Sequence, residues 1–243
     1  WGPKKTAMLG GWLVGTGWIL ASFSPNISIL TILYGAIGGA GVGIVYGCPI
    51  TVVAKWFPHK SGLAIGLTVM GFGISALLIA PLIKTMIDNP SIGILNTFLY
   101  LGIAFMVVIM LLAQLLSFPP AGWTPAEIKT AFAATSAEST PDLSRQAMLK
   151  TRNFYALWVI YTIGCLAGLM AIGIASPVGT EVAKLDTTIA ALAVSLFAVF
   201  NGLGRPIFGA LTDKVGPKHA AIVSFTMILG ASLLIFFLGQ GSA

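Results

Sequence analysis

The side chain with the plainest chemical consequence is Arg205. It lies in an apolar stretch that carries no other charge between Thr187 and Thr212. Placing an arginine in hydrocarbon costs about 2.5–3.5 kcal/mol on insertion scales, so something must offset it. A guanidinium presents five donors in a planar fork that matches a carboxylate. No Asp or Glu lies at comparable depth in any apolar run of the sequence. Three arrangements satisfy the cation: an anionic ligand, a snorkel to the near end of the run, roughly 12 Å away at 1.5 Å per residue, or a carboxylate from outside this sequence.

Tyr46, Met70 and Tyr161 fall at similar depth in their own apolar runs, and Asn201 lies one helical turn from Arg205. Together they fit an aromatic-lined pocket with one cation, suited to a small planar carboxylate. Depth does not fix facing, and each side chain equally fits ordinary helix packing. Gly202, Gly204 and Pro206 leave the backbone around Arg205 bare and short of one hydrogen bond. Irregular backbone at that depth is tolerated where it lines a cavity or packs on protein.

A second constellation follows at once. Gly209, Asp213, Lys214, Gly216 and Lys218 form a charged turn between two apolar runs, and Gly2-Pro3-Lys4-Lys5 repeats its tail at the start of the sequence. Asp213 at a helix end can pair with basic neighbours or sit at the positive N-terminus of a partner helix. A recurring loop element points to a duplicated architecture.

These residues need elements to carry them. Hydrophobic types make up 57% of the chain and charged types 8%, against roughly a quarter charged in a soluble domain, so the class is integral membrane protein. The apolar runs suit helices of about 20 residues and lack the short alternation of outer-membrane barrels. Seven spans are expected, at about 6–23, 27–53, 61–84, 93–117, 153–176, 187–211 and 219–238. Polar Pro3-Lys4-Lys5 before a full-length run argues against a cleavable leader. Cys48 and Cys165 lie in apolar runs and read as reduced packing residues.

The fold class expected is an all-α helical bundle in three parts: four spans over 1–117, a polar linker over 118–152, and three spans over 153–243. Alternate loops hold Lys4, Lys5, Lys55, Lys60, Lys129, Arg145, Lys150, Arg152, Lys214 and Lys218, and the opposite loops hold only Lys84 and Lys184. That asymmetry places the first set, with the linker, in the cytoplasm of a multi-pass cell-membrane protein. The net charge of +6 is therefore a topology signal with lipid contacts, and nucleic acid is not an expected partner. Glycines four apart at Gly35, Gly39, Gly43 and Gly47 predict a close helix approach, with like pairs at Gly62 and Gly66 and at Gly164 and Gly168.

The pattern Gly209-x-Leu211-x-Asp213-Lys214-x-Gly216-x-Lys218 resembles the loop signature of the major facilitator superfamily. Three further stretches resemble its oxalate/formate antiporter family, relatives of the monocarboxylate transporters. They are Tyr46-Gly47-Cys48-Pro49 through Ala54-Lys55-Trp56-Phe57-Pro58, Gly62-Leu63-Ala64 into Gly71-Phe72-Gly73, and Asn201-Gly202-Leu203-Gly204-Arg205-Pro206. One departure is His59, where relatives usually carry an acidic residue. The resemblance implies helices three to nine of twelve, with the remaining helices of the full-length protein as partners. It also implies carboxylate binding at Arg205 and a conformational gate at the Asp213 loop.

The function expected is secondary transport of small carboxylates by alternating access. Exchange is preferred because the runs hold no titratable carboxylate; a proton-coupled monocarboxylate symporter is the alternative. No cofactor, metal or enzymatic activity is expected. No nucleophile, metal-ligand or phosphate-loop constellation is present, and His59 and His219 fall in turns. A retinal protein is excluded by the lack of a lysine within 219–238.

Overall fold

A computed structural model describes residues 1–120, 123, 144–182, 184 and 186–240. All seven expected spans are helices: α1 (Pro3–Ala21), α2 (Ile27–Trp56), α3 (Ser61–Asp88), α4 (Gly93–Ala113), α6 (Arg152–Pro177), α7 (Thr187–Val215) and α8 (Pro217–Gln240), with a short α5 (Arg145–Leu149) between α4 and α6. No strand occurs among the described residues. Long apolar runs take this form because a helix satisfies every internal backbone group without water. The stretches Ile27–Trp56, Pro58–Asp88, Gly93–Ala113, Arg152–Ile174 and Pro217–Phe237 are long and apolar enough to cross a membrane by length and composition. α1 falls outside that set, with Lys4, Lys5 and several glycines in its sequence.

Local chemistry sets the helix ends. Asn26 caps α2, its Oδ1 accepting from the Ile29 N–H at 2.9 Å. Asn89 Oδ1 accepts from Ser91 N–H at 2.9 Å in the turn that ends α3. Gly216, at φ +83°, ends α7 in the left-handed region, and Pro217 then starts α8 where a missing N–H costs nothing. α2 opens with a π-helical stretch, Thr31–Gly38. α4 stops at Ala113, short of the expected 117, and α7 continues past the expected 211 to Val215.

Of the connection expected over 118–152, residues 121–122 and 124–143, including Lys129, lie outside the described residues. Its described ends make specific contacts. Trp123 packs on Trp56, and Ser144 caps α5 by accepting from the Ala147 N–H.

The chain packs as two compact units, one of residues 1–123 with 198–216, the other of residues 124–197 with 217–243. In the first unit α1 lies between α2 and α4. Trp18 of α1 meets Tyr34 of α2 and Phe98 and Phe105 of α4 at centroid distances of 5.2, 5.3 and 5.2 Å. Ala7, Cys48 and Ala113 form a small buried cluster between the same three helices.

Close approach falls elsewhere than the four-residue glycine spacing predicts. A Cβ on Gly35, Gly39, Gly43 or Gly47 would meet nothing within 4 Å among the described residues. A Cβ on Gly41 would strike Leu13 Cβ at 2.9 Å, and one on Gly17 would strike Gly38 Cα at 2.7 Å. The predicted stripe is real, but it lies off the face that α1 occupies. Glycine spacing finds a bare face; it does not say what that face meets.

In the second unit, α6 and α8 carry mostly exposed apolar side chains, among them Leu157, Trp158, Leu234 and Ile235. Gly164 makes only ordinary contact, its added Cβ standing 3.8 Å from Phe225 Cζ, and Gly168 meets nothing within 4 Å.

Candidate functional site

The first unit places part of α7, residues 198–216, against α3 along a ladder of small residues. A Cβ on Gly73 would meet Gly202 N at 2.7 Å, one on Gly66 would meet Pro206 Cα at 2.7 Å, and one on Gly209 would meet Gly62 C at 2.7 Å. The expected close approach at Gly62 and Gly66 is therefore present. Because α3 touches the backbone of Arg205 and Pro206 at Gly66, the arginine is held from behind. Its side chain leaves α7 toward α2 and α3.

Arg205 Nη1 donates to Tyr46 Oη at 3.0 Å in a part-buried position. The guanidinium carbon stands 5.1 Å from the Phe72 ring centroid. Tyr46 and Phe72 meet edge to face, 5.6 Å apart at 73°, so the three groups form one closed contact set. Such a cation–π contact is worth about 0.5–2 kcal/mol, depending on desolvation. Arg205 Nε is fully buried and, among the described residues, has no hydrogen-bond partner. A buried unsatisfied donor costs about 1–3 kcal/mol, more on a cation, so the site holds an unmet demand for an acceptor.

This geometry speaks against one of the three arrangements of Arg205, the snorkel. The side chain does not run along α7 to its end, which lies roughly 15 Å away at 1.5 Å per residue. It reaches across to α2. Among the described residues it has no carboxylate partner. Tyr46 and Phe72 together fix the plane of a guanidinium whose Nε edge is dry.

Of the other expected residues, Asn201 is half-buried one turn along α7, beside Gly73. Met70 is half-buried on α3, but it stands two residues from Phe72, about 200° around the helix. Phe72 meets the arginine. Tyr161 is 62% exposed on α6, in the other unit. Phe72 is the residue sequence reasoning passed over. Its signal was an aromatic side chain set between Gly71 and Gly73.

The loop motif forms a second contact on the same helix pair. Asp213 Oδ1 accepts from Gly62 N–H and Oδ2 from Leu63 N–H, each at 2.8 Å. These are orphan donors at the start of α3, where the helix dipole also favours a negative charge. Gly209 lets the two backbones touch one turn earlier. Lys214 and Lys218 are exposed, and Gly216 N–H donates to Thr212 O at 2.9 Å, which closes α7.

Comparison with known proteins adds an independent line. The family model described as Major Facilitator Superfamily matches residues 1–243. The oxalate:formate antiporter of Oxalobacter formigenes is 32% identical over 92% of this chain and 51% of that protein. Monocarboxylate transporter 13 of Rattus norvegicus is 27% identical over 99% of the chain and 53% of its own length. Apicoplast pyruvate carrier 1 of Toxoplasma gondii is 25% identical over 98% and 52%. The chain thus spans about half the length of the curated relatives it matches.

Proposed function

The chain belongs to the major facilitator superfamily, and we propose that it is part of a secondary transporter that carries small carboxylates across the membrane by alternating access. The observation that carries this reading is the Arg205 guanidinium. It is pinned by Tyr46 on one nitrogen, covered by Phe72, and left with a buried Nε that lacks an acceptor. A carboxylate taken up at that edge forms charge-assisted hydrogen bonds, about twice as strong as neutral ones. It also relieves the cost of the unpaired donor. Asn201 supplies a second polar group one turn away, and Met70 belongs to the wider wall on α3.

In this reading residues 1–117 belong to a first bundle, 118–152 to a cytoplasmic connection, and 153–243 to a second bundle of a plasma-membrane protein. Helices outside this sequence complete both bundles. The Gly209–Lys218 loop is the gate, steadying one conformation through the Asp213 bonds to the start of α3 and breaking them when the halves rock.

The substrate class rests on relatives named for oxalate, formate, pyruvate and monocarboxylates. Exchange is the favoured mode because the spans of this chain contain no Asp or Glu at the depth of Arg205. The relative named as a monocarboxylate transporter supports a second reading, proton-coupled symport. Uptake of labelled oxalate into vesicles holding the intact protein separates them. Uptake driven by internal formate with no pH gradient is the expected result. Uptake that needs an inward proton gradient selects symport. Binding of neither oxalate nor a monocarboxylate by the folded protein overturns the carboxylate assignment.

A further inference from the structure

The residues that follow α4 do not leave the first unit freely. Trp56 Nε1 donates to Ser117 O at 2.9 Å, and Lys55 Nζ lies 4.4 Å from the Phe118 ring centroid. Trp123 then returns to Trp56, ring to ring at 4.9 Å and 67°. Its N–H donates to Pro120 O at 3.0 Å. Just before this segment Gln114 Nε2 donates to Met8 Sδ at 3.3 Å, and Leu116 packs on the Ala7–Cys48–Ala113 cluster. Adjacent residues at the end of α2 therefore hold three separate points of a seven-residue segment, by three different kinds of contact.

We propose that Ser117–Pro120, together with Trp123, is a fixed strap seated on the Lys55–Trp56 end of α2, so that the connection to the second half is anchored at Trp123 and not where α4 ends. The occupant of the Lys55–Trp56 platform is thus this chain's own segment. The chemistry is matched: an indole N–H to a carbonyl, an ammonium to a ring, and two indoles edge to face. Pro119 and Pro120 have no N–H to satisfy, which suits a segment crossing a helix end outside any ladder.

The consequence is mechanical. α2 also carries Tyr46, the partner of Arg205, and α2 is a single helix from Ile27 to Trp56. Tension on the connection is therefore delivered to the helix that pins the arginine, and not to α4. The strap stays closed while the rest of the molecule changes state.

The test uses the intact full-length protein with its other cysteines replaced. A Lys55→Cys/Phe118→Cys double variant, which keeps both indoles, is treated in membranes with a short bifunctional thiol reagent. It is then nicked by protease at a site engineered into the Asn89–Ser91 turn. The expected result is that the two fragments stay joined, and that the joined protein transports at the rate of the unjoined one. In the same cysteine background Trp123→Ala, which removes the ring pair with Trp56, should slow joining by about three- to tenfold, the range an aromatic pair contributes. Joining as fast in Trp123→Ala as in the double variant overturns the anchor at Trp123. Fragments that separate overturn the strap. Joined fragments that no longer transport overturn its permanence. Joining is read by fragment size, so it stands even if the carboxylate assignment fails.

Discussion

Asp213 closes the first turn of α3 by accepting from Gly62 N–H on one carboxylate oxygen while the other takes the N–H of Leu63, both at 2.8 Å. The sequence distance between the partners is about 150 residues, and the two helices meet only because glycines at 62 and 209 remove the side chains between them. An N-cap is ordinarily supplied by the residue just before the helix. Here Lys60 offers no such side-chain bond, and the cap arrives from α7.

That relationship makes Asp213→Asn and Asp213→Ala graded tests. Asparagine keeps one oxygen and loses the charge; alanine loses both acceptors. The cap and dipole contributions together are about 1–2 kcal/mol, lowered by the exposure of this site. Thermal unfolding of the full-length protein should fall modestly for Asn and further for Ala. Faster labelling of an introduced cysteine at Ser61 should follow the same order. Equal labelling in all three proteins would mean that the bond holds nothing in place.

The glycine ladder gives a sharper contrast. A Cβ at Gly66 lies within 2.7 Å of the Pro206 Cα, and backbone cannot swing aside. Gly66→Ala should therefore destabilise the protein by about 1–3 kcal/mol, the usual cost of overpacking. Gly43→Ala meets nothing among the described residues and should be neutral or stabilising by about 0.5–1 kcal/mol, the helix-propensity gain. Melting temperatures of the two variants check both signs. A Gly66→Ala protein as stable as Gly43→Ala contradicts the close packing of α3 on α7.

The contrast between those glycines shows what was legible in the sequence and what was not. Helix number and placement could be read because a 20-residue apolar run has one way to satisfy its backbone in lipid. Arg205 could be picked out because a lone charge in such a run is costly. Facing could not be read. Gly43 and Gly41 have the same composition context, yet only Gly41 meets α1. Depth alone likewise did not single out Phe72, whose ring reaches the arginine. Helix rotation is set by the neighbours, and uniformly apolar helices give little periodicity from which to infer it. The end of α4 was misjudged for a related reason, since Gln114–Leu116 is apolar enough to continue a helix but turns to meet α1.

Tyr46 and Phe72 make separable predictions about the arginine. Tyr46→Phe removes the acceptor of Nη1, leaving a part-buried donor unpaired. At about 1–3 kcal/mol this should weaken carboxylate binding between several-fold and about a hundredfold if the hydroxyl positions the cation. Phe72→Leu keeps the bulk but gives up the ring face, worth about 0.5–2 kcal/mol, and should cost less than Tyr46→Phe. Both are checked by equilibrium binding to the folded full-length protein. The reverse order would assign the positioning of the guanidinium to Phe72 instead of Tyr46.

Arg205 itself allows the charge to be separated from the fork. Arg205→Lys retains a cation at the site but replaces a rigid, planar set of donors by a point charge on a flexible stem. Arg205→Gln retains donors and loses the charge. If the buried Nε edge takes a carboxylate, charge and geometry both contribute, and hydrogen bonds to a charged group are worth about 1.5–3 kcal/mol each. Arg205→Lys should then bind about ten- to a hundredfold more weakly, and Arg205→Gln should show no saturable binding in the same range. Both must elute as monodisperse folded protein for the comparison to hold. Lysine carries a further expectation: without the fork it cannot hold Tyr46 and an anion at once in the same plane, so Tyr46→Phe should cost little in the Arg205→Lys background. A Tyr46→Phe penalty of the same size in both backgrounds would place the tyrosine on the substrate directly and not on the arginine.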